Sequence, residues 1–307
     1  MNIPNILQYV LFVVIIIACV KPVGLYLFHV FAGHKTFLDP ILRPVERLIY
    51  RTAGVNPDSE MDWKQYAIAF TAFSLLGTIL LIAILLLQSL FPWYFSAYQT
   101  TPMTVDLAVN TGISFATTTT WQAYGGETTM SYFSQMVGLV VQNFLAGAAG
   151  LAVGIAFIRG LVREQQTGLG NFWVDLTRAI LWVLLPISIL GAVILVWQGV
   201  TMNFSPYTDV TTVQGTTQVI AQGPVAALET IKNLGTNGGG FFNVNGAHPY
   251  ENPTALTNFL EMLMIAVLPA SLNLHLWAHG AKASARLADF LGDDTAVQRW
   301  AADRCLG

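Results

Sequence analysis

Two short stretches of this sequence carry residue types suited to holding a bare cation. The first is Thr117, Thr118, Thr119 and Thr120, with Gln122 just beyond. Four adjacent β-branched residues disfavour a helix and bring hydroxyl and carbonyl oxygens together. The second is Thr236, Asn237, Gly238, Gly239 and Gly240, preceded by Lys232. The glycines let the backbone take angles closed to other residues, so carbonyls can turn toward an axis. Oxygens that replace an ion's hydration shell are the means by which potassium filters select. Taken singly, each stretch also reads as an ordinary connector, Thr-rich or Gly-rich. The glycine run is not a phosphate-binding loop, because no Gly-Lys-Ser/Thr follows. Lys232 is either a functional intramembrane charge or a side chain near an outer mouth that reaches water. The histidines show no metal-ligand cluster, and Cys19 and Cys305 form no zinc spacing or redox pair. With no nucleophile–base set and no nucleotide loop, no catalytic centre is expected in this chain.

The surroundings of these stretches are apolar. Hydrophobic residues make up 54% of the chain and charged residues 10%, against about 25% charged in soluble domains. The net charge of −3 gives no reason to expect a nucleic-acid partner. A spanning helix needs about 20 apolar residues. Five stretches meet or approach that length: Ile6–Val20 (extended toward Leu27), Tyr66–Leu87, Met130–Ile158, Phe172–Trp197 and Leu256–Leu276. The first has no Lys or Arg before its apolar core and no small-residue cleavage site after it, so it reads as a retained helix rather than a signal peptide.

Between these stretches the same order of features occurs twice. Tyr66–Leu87 leads through an aromatic loop to a short helical run, Thr104–Phe115, then the threonines, then the long helix from Met130. Phe172–Trp197 leads through a polar loop to a short run, Val225–Leu234, then Thr236–Gly240, then the last apolar helix. Neither short run can span a bilayer. Irregular backbone at membrane depth is tolerated only inside protein or along water, so each half-helix and its loop imply an aqueous path. A short helix aiming its negative end at such a loop adds a favourable field for a cation. Asp106, Glu127, Glu229 and Glu251 are placed to draw cations to the mouth. Gln142 and Asn143 either line an inner vestibule or bond between helices, and Gly147, Gly150 and Gly154 give their helix a small face for close packing. Pro186 predicts a kink.

Positive charge sets the orientation. Lys21, Lys35, Arg43, Arg47, Arg51 and Lys64 follow the first helix, and Arg159, Arg163 and Arg178 lie between the third and fourth. The other connections hold only Lys232. That bias puts segments 28–64 and 159–172 in the cytoplasm and the N-terminus outside. Trp63, Tyr66, Trp93, Tyr94 and Trp173 fall at helix ends, where such rings favour the membrane interface.

At these residues a family likeness is apparent. FATTTTWQAYGGETTMSYFSQMVGLVVQNFLAGAAG (Phe115–Gly150) and IKNLGTNGGGFFNVNGAHPYENPTALTNF (Ile231–Phe259) resemble the first and second filter regions of the potassium-binding subunit of the Kdp P-type ATPase complex, KdpA. MDWKQY (Met61–Tyr66) and GNFWVDLTRAILWVLLP (Gly170–Pro186) also fit the family. The likeness runs from about Met1 to Leu263 and ends near Ala266.

The resemblance implies an all-α polytopic membrane protein of potassium-channel-like fold. Segment 1–62 would be an extra N-terminal helix with a cytoplasmic segment. Segments 63–165 and 166–276 would be two units of spanning helix, re-entrant pore helix with filter loop, and spanning helix, out of the family's four. Segment 277–307 would be an aberrant tail. It implies K+ bound at Thr117–Thr120 and Thr236–Gly240, with Gln122 linked to selectivity and Lys232 in the second pore helix. It also implies a KdpB-like ATPase partner that uses ATP and Mg2+, small KdpC-like and KdpF-like subunits, and a place in the bacterial inner membrane. Two units where the family has four suggest a frameshift or premature stop, which argues against transport by this polypeptide alone. A channel or symporter subunit of the same superfamily, or a non-functional fragment, are the alternatives. A membrane enzyme would call for paired intramembrane acids or histidines.

Overall fold

The computed structural model describes residues 3–90, 99–162 and 168–278. Trp93, Tyr94, Arg163 and the tail beyond residue 278, all singled out in the sequence, lie outside the described residues.

The described residues are mainly helical. In order come α1 (Ile3–Phe31), α2 (Asp39–Ala53), α3 (Trp63–Leu86), α4 (Val105–Ala116), α5 (Gly126–Thr129), α6 (Val141–Val162), α7 (Phe172–Arg178) and α8 (Leu185–Trp197). Then follow β1 (Thr208–Thr211), β2 (Thr217–Ile220), α9 (Val225–Leu234) and α10 (Ala255–Ala278). A π-helical stretch, Ser134–Val140, runs straight into α6, and another, Ala179–Leu184, joins α7 to α8. Among the described residues five helices are long and apolar enough to cross a membrane: Ile6–Phe31, Trp63–Leu86, Ser134–Leu161, Phe172–Trp197 and Ala255–Leu272. Each matches one of the expected apolar stretches.

Two features add to the expectation. The polar connection after α8 holds an antiparallel hairpin, with Thr208 paired to Ile220 and Thr211 to Thr217, so the fold is not purely helical. Pro186 is the second residue of α8. It lacks an N–H and its ring would crowd the carbonyl four residues back, at Trp182. That carbonyl lies within the π-helical stretch, whose wider turn accommodates the ring.

The chain divides into two compact units, neither of them a continuous stretch. One comprises Met1–Ile68, Leu151–Arg178 and Ala266 onward. It is held by buried polar contacts. Arg159 grips Asp175 with both terminal nitrogens, at 2.6 and 2.9 Å. Tyr66 donates to Asp175 at 3.1 Å and to the Ala152 carbonyl at 2.8 Å. Arg159 also donates to the Leu169 carbonyl at 3.1 Å. The backbone of Met61 bonds Gly170 and Leu169, at 2.7 and 2.9 Å. Gly170 has φ +97, and a Cβ there would run into the Arg159 guanidinium, so only glycine suits the turn. Thus the Met61–Tyr66 motif and the first part of the Gly170–Pro186 motif, as far as Arg178, belong to one unit. Nearby, Arg178 pairs with Glu46 at 3.0 Å, and Tyr50 donates to the same carboxylate at 2.7 Å. A carboxylate this buried is tolerable only when paired and hydrogen-bonded.

The other unit comprises Ala69–Gly150 and Ala179–Ile265. Glycines set its close approaches. A methyl on Gly112 of α4 would lie 2.5 Å from Ile82 of α3, and one on Gly191 of α8 would lie 2.6 Å from Thr230 of α9. Gln88, just past α3, accepts from the Ser131 amide at 3.0 Å and donates to the Thr129 carbonyl at 3.0 Å. These bonds tie the end of one long helix to the start of the next.

Candidate functional site

α4 and α9 have 12 and 10 residues. At 1.5 Å per residue they reach about 18 and 15 Å, roughly half a bilayer core. α4 starts at Thr104, whose hydroxyl accepts from the Leu107 amide, a conventional cap. Asp106 in its first turn suits the positive end of the helix. The Thr104 hydroxyl and the helix-start amides hold that carboxyl below its ordinary range. α4 ends at Thr117 and α9 at Gly235, so each short helix delivers its negative end to one of the two oxygen-rich loops.

The loop backbones are unusual. Thr118, Thr120 and Thr236 have φ of 61, 51 and 54, and Gly239 and Gly240 have φ of 68 and 132. A left-handed β-branched residue is a real outlier, costing roughly 1–2 kcal/mol. Neighbours supply that cost. The Thr120 amide donates to the Ser114 carbonyl at 2.9 Å, and the Asn237 amide to the Lys232 carbonyl at 2.8 Å. Among the described residues, the carbonyls of Thr118, Thr119, Thr120, Thr236, Asn237 and Gly238 accept no hydrogen bond from protein. Thr117, Thr118, Thr119 and Thr236 are exposed, whereas Thr120 and Gln122 are buried.

The two loops are joined directly. The Gly238 amide donates to the Thr120 hydroxyl. The Gly240 amide donates to Gln122 Oε1 at 3.0 Å, and Asn243 Nδ2 to the Gln122 carbonyl at 2.6 Å. A side chain on Gly239 would collide with the Thr120 carbonyl and Gln122 Oε1. Gln135, in the π-helical stretch before α6, donates to the Phe241 carbonyl at 3.3 Å. Gln122 is therefore a bridge between the loops.

The structure places several residues whose reading the sequence left open. Lys232 does not reach water: it is 2% exposed and pairs with Glu229 at 2.6 Å. Glu229 and Glu251 are fully buried against Gly246 and Gly240 instead of open to water; only Asp106 of the four acids is exposed. Gln142 sits against Gly77 of α3, while the Asn143 carbonyl accepts from Asn237 at 3.3 Å. Gly147 meets the Gly235 backbone at 3.0 Å from its Cβ position, but Gly150 faces open space. Close packing thus accounts for the first of these glycines and not the second. Missed in the sequence were Asn243 and Asn245, both left-handed. Asn245 accepts from the Gly239 amide at 2.7 Å and donates from its own amide to the Gly239 carbonyl at 2.9 Å. Their signal was available, since asparagine tolerates positive φ best after glycine.

Helices of spanning length, half-length helices and a pair of joined, irregular loops define a multi-pass membrane protein whose polar backbone is gathered in one place. The family model described as KdpA, potassium-transporting ATPase A subunit, matches residues 10–285, and the chain belongs to that family. The match continues past Ala266, where the motif likeness ended. Curated relatives named potassium-transporting ATPase potassium-binding subunit are similar to it. The one from Rhodospirillum centenum is 50% identical over 89% of this chain and 47% of its own length. That from Geobacter metallireducens is 51% identical over 87% and 49%, and that from Rhodopseudomonas palustris 52% over 86% and 46%. The chain spans about half the length of these relatives.

Proposed function

We propose that this chain forms part of the K+-selecting path of an ATP-driven potassium uptake complex, with Thr117–Thr120 and Thr236–Gly240 as two of its filter segments. The observation that carries this reading is the joining of the two loops at Thr120–Gly238 and Gln122–Gly240, with six neighbouring carbonyls free of protein donors. Such oxygens can replace water around a dehydrated monovalent cation. The negative ends of α4 and α9 favour the ion there.

The element order, long helix, short helix, irregular loop, long helix, repeated after α1, supports two units of a four-unit pore. The relatives' name, which makes them a subunit of an ATPase, supports a partner that hydrolyses ATP; the family resemblance extends this proposal to a KdpB-like subunit using Mg2+ and to KdpC-like and KdpF-like subunits. The arginines of α2, with Arg159 and Arg178, support a cytoplasmic side for their connections and an outer N-terminus in the inner membrane.

Gly239→Asp tests the filter assignment. The position has φ +68 and no room for a side chain. In the complex purified through a tag on the full chain, ATPase stimulation by K+, Rb+ and Na+ is measured. The variant is expected to lose at least tenfold of the K+ preference. An assembled variant with an unchanged preference would refute the assignment.

A further inference from the structure

The second loop closes on a buried ionic hub that the first loop lacks. Lys232, on α9, is among the largest fully buried side chains. Its Nζ lies 2.6 Å from Glu229 Oε1, and that oxygen also accepts from Asn233 at 3.0 Å. Glu251 comes from the connection before α10 and Glu261 from α10 itself; they are 0% and 6% exposed. One ammonium thus faces three carboxyls from three parts of the unit, well out of water. Burying such a set is costly unless the geometry is put to use.

The hub touches the loop at both ends. Where a Cβ on Gly240 would sit, Glu251 Oε1 is 2.7 Å away and Lys232 Nζ 3.6 Å. At the corresponding point on Gly246, Glu229 Oε1 is 2.8 Å away, Glu261 Oε2 3.0 Å and Lys232 Nζ 3.3 Å. Gly240 and Gly246 both have positive φ. Glu251 Oε1 accepts from the Phe242 amide at 3.2 Å. Lys232 also holds the near end of the loop through its own carbonyl, which accepts from Asn237. Among the described residues the ammonium forms no hydrogen bond to the carbonyls of Thr236–Gly238.

We propose that Lys232 is a positioning residue for ion selection: with Glu229, Glu251 and Glu261 it fixes the backbone of Gly240–Gly246, and so the aim of the Thr236–Gly240 carbonyls, without contacting the ion. This rests on the filter reading above. The Lys232 ammonium is the positive charge that draws these carboxyls together, Glu229 most closely. Removing it lets the hub spread and moves Gly240, and a filter is sensitive to shifts far smaller than those that unfold a protein.

The test uses the complex purified through a tag on the full chain, with ATPase activity measured against K+ and Rb+. Lys232→Met is expected to raise the KM for K+ at least tenfold and to erode the K+/Rb+ preference, with kcat within about threefold. Lys232→Arg should recover much of the preference. If Lys232→Met does not assemble, Lys232→Met with Glu229→Gln removes one charge of each sign and carries the same expectation. An assembled variant with unchanged KM and preference, or one that loses kcat alone, overturns the proposal. Gly239→Asp in the same assay separates the two ideas: if it alters preference and the Lys232 variants do not, only the hub falls. If neither alters it, the filter reading falls and takes the hub with it.

Discussion

Glu251 is a carboxyl held far from its ordinary state. Burial foremost, then the Glu229 carboxylate, push it up to about 7, against the pull of Lys232 and of the Phe242 and Gly246 amides. Glu261 is the other carboxyl facing this hub. A folded-state value above the unfolded one means the native state binds the proton more tightly. The stability this group contributes is therefore complete below the unfolded carboxyl's pKa, near ~4.3, and is lost as pH rises through that range, a change on the order of 3 kcal/mol. With Glu251 as wild type, the detergent-solubilised chain should melt at lower temperature as pH rises from about 4.5 to 7. Glu251→Gln should flatten that slope, and an identical slope in the variant would show that another group sets it. At this scale the sequence was only partly informative. The threonine run and the triple glycine announced their loops, because residue type alone limits backbone angles. Glu229 and Lys232 were visible as neighbours three apart on a helix. The arrival of Glu251 and Glu261 beside them was not, since it depends on how α9 and α10 pack. The links from Thr120 and Gln122 to Gly238 and Gly240 were hidden likewise, each spanning 118 positions of sequence.

Among elements, the long helices were legible because a bilayer's thickness fixes their length and composition. Their breaks were less so. The π-helical stretches at Ser134–Val140 and Ala179–Leu184 keep the same apolar pattern as the helices they join, and hydropathy does not register one extra residue per turn. The β1–β2 hairpin was read as loop although Thr208–Thr211 and Thr217–Ile220 are rich in β-branched residues around Gly215. Four-residue strands are too short for periodicity to stand out. The joint formed by α3, α6 and α7 rests on Asp175, which lies 1% exposed between Arg159 and Tyr66. Asp175→Ala leaves the guanidinium buried and unpaired, at a cost of about 3–5 kcal/mol. The variant should express poorly and melt early in detergent, while Asp209→Ala on the hairpin should do neither. Equal melting of the two variants would contradict the role given to the pair.

For the molecule as a whole, the five candidate spans among the described residues and the distribution of positive charge make the proposed orientation, N-terminus outside, testable. In a background of Cys19→Ser and Cys305→Ser, a single cysteine at Thr212, on the hairpin connection, should react with an impermeant maleimide in intact cells. A cysteine at Ser59, between α2 and α3, should react only after the membrane is opened. The reverse pattern would invert the orientation. The resemblance to half of a longer family chain was readable from two long motifs, whose loops need particular residues at fixed spacing.

The first helix shows what such a protein leaves unconstrained. From Leu7 to Ile17 its large side chains are mostly exposed, whereas Gly24, Leu27, Val30 and Phe31 are enclosed by neighbours. A face with no packed neighbour in this chain has no shape to match there, so one apolar residue serves the fold of this chain as well as another. Exchanges among apolar residues from Leu7 to Ile17 should therefore disturb the fold less than exchanges at Gly24, Leu27, Val30 or Phe31, which meet neighbours of fixed shape.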